Sequence, residues 1–175
     1  MKDDKEIVLE AVKENGIALK YASQELKEDK EIVREAIKNN VFALEYVDEE
    51  LKNDKKIVKD AVKKHGEMLG CASERLQNDK EVVLEAVKEN GVALIYASKN
   101  MKNDREIVLE AVRNNGFALE FASRKLKNDK EIVLEAIDCC DYDWLGSKQY
   151  IFESYDPHSR GSSWYEREVK EILYY

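Results

Sequence analysis

The sequence predicts an all-α fold: an α-solenoid of tandem helical hairpins, 25 residues per repeat, with an aromatic-rich C-terminal cap. Three observations carry this. The string Asp4-Lys5-Glu6-Ile7-Val8 returns from Asp29, Asp54, Asp79, Asp104 and Asp129, at a step of 25 residues without insertion. Apolar residues inside each copy follow helical rather than alternating spacing. Proline occurs once and charged residues make up 38% of the chain, a composition suited to short helices with solvated outer faces. A fixed period of this length is the signature of a stacked array, in which each unit buries its apolar face only against its neighbours.

The predicted elements follow in order. Five full copies span 4–28, 29–53, 54–78, 79–103 and 104–128, and a half copy spans 129–137. Each copy opens on an Asp at an N-cap position, where a carboxylate can accept from otherwise unpartnered helix N–H groups. Glu6 and its equivalents in the first turn complement the helix dipole. Ile7, Val8, Ala11 and Val12 then form one face. Asn15-Gly16, Asn90-Gly91 and Asn115-Gly116 predict a helix end in a left-handed turn. Copy two reads Asn40-Val41, so Asn39 or Asn40 is expected to take that turn. The second half carries Ala18, Leu19, Ala22 and Leu26 on one face, predicting a second helix of about ten residues, roughly 15 Å long. Ser23, Ser73, Ser98 and Ser123 fall inside it, with Asp48 in their place in copy two. Helices this short are marginal alone and need stacking. At about 10 Å per layer the array is expected to form a rod or shallow superhelix on the order of 50 Å long.

The string Glu-Ile-Val-Leu-Glu-Ala-Val-Lys-x-Asn-Gly-x-Ala-Leu-x-Tyr-Ala-Ser, seen at Glu81–Asp104 with Val82 for Ile and Met101 for a later Leu, resembles an uncharacterised repeat family. That family is a domain of unknown function found in bacterial proteins, secreted effectors among them, and in giant-virus proteins. The resemblance covers 4–137. It implies the helical-repeat architecture and no activity, since it carries no established catalytic or binding residues. Tetratricopeptide and ankyrin signatures are absent.

Comparison of the copies separates constant from variable positions. Val8, Ala11 and Leu19 keep their residue type in every copy. Glu10, Glu35, Asp60, Glu85, Glu110 and Glu135 form an acidic ladder, the first five lying three residues before Lys13, Lys38, Lys63, Lys88 and Arg113, which reads as a solvated, salt-bridged face. Leu9/Arg34/Lys59/Leu84/Leu109, Lys20/Glu45/Gly70/Ile95/Glu120 and Gln24/Glu49/Glu74/Lys99/Arg124 vary, as a recognition surface or unconstrained drift would. Copy three places Met68 where others have Ala and Cys71 where others have Tyr or Phe. Repacking explains this, and a central notch lined by His65, Met68 and Cys71 is the sharper alternative.

From Asp138 the repeat stops. Residues 138–175 hold nine of the fifteen aromatics and eight acids against four bases. A capping box at Ser163-Trp164-Tyr165-Glu166 predicts a short final helix. The segment is expected to cap the array, with Tyr142, Trp144, Tyr150, Tyr155, Trp164 and Tyr165 as candidate partner-binding residues.

The expected function is a non-enzymatic protein–protein interaction module, an adaptor or scaffold with another protein as partner. The net charge of −8 argues against direct nucleic-acid binding. The rival readings are an acidic effector or inhibitor occupying another protein's nucleic-acid or basic-peptide site, and a tail-centred enzyme using Cys139, Cys140 and His158. The latter lacks an orienting group and any recognised motif. No cofactor, metal or catalytic residue is expected, and no apolar run suggests a membrane span. Location is expected to be cytoplasmic, or in a host cell after export.

Overall fold

The structure, a computed structural model, describes residues 4–139. It is an all-α solenoid. Six long helices, one per copy, run along one side: α1 (Lys5–Glu14), α2 (Lys30–Asn39), α3 (Lys55–Val62), α4 (Lys80–Glu89), α5 (Arg105–Asn114) and α6 (Lys130–Asp138). Each starts on its Asp, whose Oδ1 accepts from the backbone N–H groups two and three residues on.

The second half of each copy differs from the expected ten-residue helix. It is a six-residue 3-10 helix (Gly16–Tyr21, Val41–Tyr46, Gly66–Cys71, Gly91–Tyr96, Gly116–Phe121), a two-residue break that begins on an extended residue, then a short turn ending in three or four helical residues. The extended residue, Ala22 or its equivalent, is what prevents a continuous helix. It frees the next N–H to bond the preceding copy: Ser73 to Lys52 O at 3.1 Å, Ser98 to Gln77 O at 2.9 Å, Ser123 to Lys102 O at 2.8 Å, and Asp48 to Lys27 O at 3.4 Å. In an unbroken helix that donor would be spent within the copy. The serines therefore stand at the break. Ser73, Ser98 and Ser123 donate to Asn53, Asn78 and Asn103 of the copy before, at 2.6–2.7 Å. The Ser23 hydroxyl is buried without a partner, because no described copy precedes it to supply the Asn.

The left-handed turns expected at the Asn-Gly pairs do not form either. Asn15, Asn40, Asn90 and Asn115 are extended, with φ between −143° and −154°, and each caps the following 3-10 helix by accepting from the N–H two residues on. Asn39 lies within α2. The glycine answers to crowding instead. A Cβ on Gly16 would overlap the Ala36 carbonyl oxygen of the next copy, and Gly66 and Gly91 meet Ala86 and Ala111 in the same way. The 3-10 helix rests directly on the backbone of the following long helix.

The core is a column of identical layers. Val33, Ala36, Leu44, Val58, Ala61, Leu69, Val83, Ala86, Leu94, Val108, Ala111 and Val133 are fully or almost fully buried. Ile7 and Ala11 belong to the same pattern yet are exposed, Ile7 by 46%, because copy one has no preceding unit against them among the described residues.

Along one edge, Lys5, Lys30, Lys55, Lys80 and Arg105 each bond the capping Asp of the next copy, at 2.8–3.3 Å. The hydrogen bond from Lys5 holds the Asp29 carboxyl below the usual carboxylate range, and that from Lys30 does the same for Asp54; partial burial opposes both. A depressed folded-state pKa contributes stability above the unfolded value near 4 that is lost as pH falls through the folded value. Thermal midpoints should therefore be flat from neutrality down to about pH 5 and fall below about pH 4. A midpoint that stays level through that acid range would show that these rungs contribute nothing.

Candidate functional site

A second tie between copies involves the last residue of the long helix. Asn39 Oδ1 accepts from the Gly16 N–H at 2.7 Å, and its Nδ2 donates to Lys13 O at 2.7 Å. Asn114 repeats this on Gly91 N–H (2.6 Å) and Lys88 O (2.8 Å). Glu89 takes the Gly66 N–H. One side chain thus ties together the 3-10 start and helix end of the copy before. Asn114→Ala should destabilise the chain by about 1–2 kcal/mol, the worth of two partly exposed bonds. The test is a lower urea midpoint with an unchanged denaturant slope.

Between copies two and three only half of this closure is kept: Lys64 still donates to the carbonyl of Lys38, but offers the Val41 N–H no acceptor. Val41 stands where the other copies have Gly, so the close seat on the next helix is sterically blocked. Lys64 stands where Asn39 and Asn114 do, and a lysine has no acceptor to offer the Val41 N–H. Its longer arm reaches back instead to Lys38 O at 3.1 Å and Ile37 O at 3.3 Å, at the C-terminal end of α2 where a cation is favoured. Lys56 occupies the position where Glu31, Glu81, Glu106 and Glu131 take a second bond from the preceding copy's base. Lys30 is left with Asp54 alone, at 2.8 Å.

The result is a gap. α1 packs on α2, α3 on α4, α4 on α5 and α5 on α6, but α2 and α3 do not close on one another in that way. The cleft between them is about 420 Å³ and is lined by Arg34, Glu35, Ile37, Lys38, Ile57, Asp60, Lys63 and Lys64. Ile37 and Ile57 form an apolar floor. The rim carries four bases and two acids, an excess of two positive charges on a chain of net −8.

At two other joints a base reaches across to the acidic ladder of the next copy: Arg113 to Glu135 at 3.0 Å and Lys63 to Glu85 at 3.7 Å. Lys38 folds back on its own Glu35 at 3.5 Å, as Lys13 does on Glu10 at 2.7 Å, and does not reach Asp60. Arg34 is exposed at a position where copies one, four, five and six have Leu.

Of the notch residues, Met68 is buried in the core, Cys71 is half-buried beside it, and His65 is half-buried. His65 replaces the capping Asn, forms no cap bond, and meets Phe42 of copy two edge-on at 5.1 Å. The Tyr96 ring lies against Gly70, next to the position the missing aromatic would have taken. Burial pushes the Cys71 thiol up, which keeps it protonated. Tyr142, Trp144, Tyr150, Tyr155, Trp164, Tyr165, Cys140 and His158 lie outside the described residues, as do the expected cap and final helix. Cys139 is half-buried at the end of α6, its Sγ 3.4 Å from Arg113 O.

Among the described residues no group of three His, Cys, Asp or Glu side chains is placed to hold a metal ion, and no helix is long and apolar enough to cross a membrane. The α2–α3 cleft was missed by sequence reading, although its cause, Val41 beside Lys64, was visible as two departures from the copy-to-copy consensus.

A family described as a domain of unknown function (DUF4116) matches the chain three times in tandem, over residues 4–52, 54–102 and 104–142. The first two matches each embrace two 25-residue copies. No curated protein and no solved structure matches the chain. With well over half of its length matched, and with the same unit recurring along the solenoid, the chain belongs to the DUF4116 family.

Proposed function

We propose that the chain is a binding module for another protein rather than an enzyme. One observation carries this reading: the constant apolar positions are buried from copy two onward, whereas two of the three variable sets are exposed in every copy. Lys20, Glu45, Gly70, Ile95 and Glu120 are all solvent-facing, as are Gln24, Glu49, Glu74, Lys99 and Arg124. A regular scaffold that changes mainly what it shows to solvent is suited to recognition along its length. Phe42, Ile95, Tyr96 and Phe117 add large apolar side chains, 38–42% exposed, along the 3-10 helices. The charge distribution supports the module over an acidic decoy, because bases and acids alternate as paired rungs rather than forming one negative face.

The test is affinity capture with the full chain, followed by reconstitution with the purified captured protein. The expected result is a stoichiometric complex weakened about tenfold or more by alanine at Ile95, Tyr96 and Phe117, with the fold intact. Retention of no protein, or binding indifferent to every exposed variable position, overturns the reading.

A further inference from the structure

We infer that the α2–α3 cleft is a peptide-binding site, and that its occupant is an acidic segment of a partner protein with a large apolar side chain between its carboxylates. The inference rests on the binding-module reading and specifies where it acts and what it takes.

Three independent features converge on the same joint. The first is that the joint is opened by substitution rather than by loose packing. Val41 removes the seat that glycine provides elsewhere, and Lys64 replaces the side chain that staples neighbouring copies. Lys64 also bridges the opening at its far end, while Lys30 and Asp54 hold the near end at 2.8 Å. The cleft is therefore a gap of set width, tied at both ends.

The second feature is charge. Arg34 stands where copies one, four, five and six have leucine. Arg34, Lys38, Lys63 and Lys64 rim the cleft against Glu35 and Asp60. On an acidic molecule this local excess of cations selects an anionic ligand. An extended polyanion such as nucleic acid is disfavoured by the net charge of the rest of the chain.

The third feature is the floor. Ile37 and Ile57 give the cleft an apolar base, and a volume of about 420 Å³ accommodates a large side chain with the backbone that carries it. A carboxylate-rich segment without an apolar anchor would leave that floor wet.

The probe is a library of random dodecapeptides selected on the full-length protein. Enrichment of peptides with Asp or Glu flanking Trp, Phe or Leu is expected, with affinity that falls as salt is raised. Two variants then test the place. Arg34→Glu with Lys38→Glu reverses the rim charge and should weaken the selected peptides about tenfold or more. Val41→Gly with Lys64→Asn restores the seat and the staple, and should abolish binding while raising Tm.

Because the sealed variant is expected to be more stable than the parent, loss of binding there is not loss of fold. Selection of no peptide, selection of peptides without acids, or undiminished binding to the sealed variant overturns the assignment. If the sealed variant still captures the natural protein partner, the binding-module reading stands and only this site falls.

Discussion

Gly91→Val should destabilise the array on the order of 3 kcal/mol, by forcing apart copies four and five. A Cβ at this position would overlap the Ala111 carbonyl oxygen, which belongs to a helix backbone and cannot move aside as a side-chain tip can. The same displacement would pull Asn114 away from the Gly91 N–H and from Lys88 O, so two inter-copy bonds go with the packing. The thermal midpoint should drop by roughly 10 °C for a chain of this size. Calorimetry should also show a broadened or divided transition, since separated blocks of an array melt independently. Adding Asn114→Lys to Gly91→Val reproduces the natural joint between copies two and three, and should recover part of the loss. A fully folded single variant with an unchanged midpoint would refute the explanation of the cleft as a valine-opened gap.

Leu94→Ala is the second large effect, at about 2–5 kcal/mol. Leu94 is fully buried on the 3-10 helix Gly91–Tyr96, which packs between α4 and α5, so truncation leaves a cavity walled by two copies. Leu94→Met preserves volume and should cost less than about 1.5 kcal/mol. Urea titration of both variants checks the difference. Equal midpoints would mean that the column relaxes around the missing side chain.

Much of the fold was legible because the governing signals are local. An Asp before Lys-Glu-Ile-Val states where a helix begins, and a fixed step of 25 states that the geometry repeats. The second half of each copy misled for a physical reason. Ala18, Leu19, Ala22 and Leu26 lie on one face of an α-helix, but six residues are too few to separate a period of 3.6 from one of 3. The extended residues Ala72, Ala97 and Ala122 each precede an N–H that bonds another copy, and nothing within the copy announces that bond.

The candidate site was hidden in the same way. Beside Asn40, Val41 poses only a question of backbone handedness; its meaning comes from the seats that Gly16, Gly66 and Gly91 take on the next copy. Asn39 acts on a residue 23 positions earlier. Residue pairs at that separation become readable once the copies are laid over one another as layers, which turns the departures at Val41, Lys56, Lys64 and His65 into one event at one joint.

The capping aspartates have a consequence for how such a chain can lengthen. In Asp29, Asp54, Asp79 and Asp104 one carboxylate oxygen starts the local helix and the other receives the neighbour's base, so nucleation and docking are a single event. No position in the 25-residue cycle is a natural seam. Duplication of any whole cycle, cut at any phase, returns every one of these pairs, whereas gain or loss of one residue breaks the pair that spans it. Unequal exchange between gene copies can therefore extend or shorten the molecule freely, provided it counts in whole units.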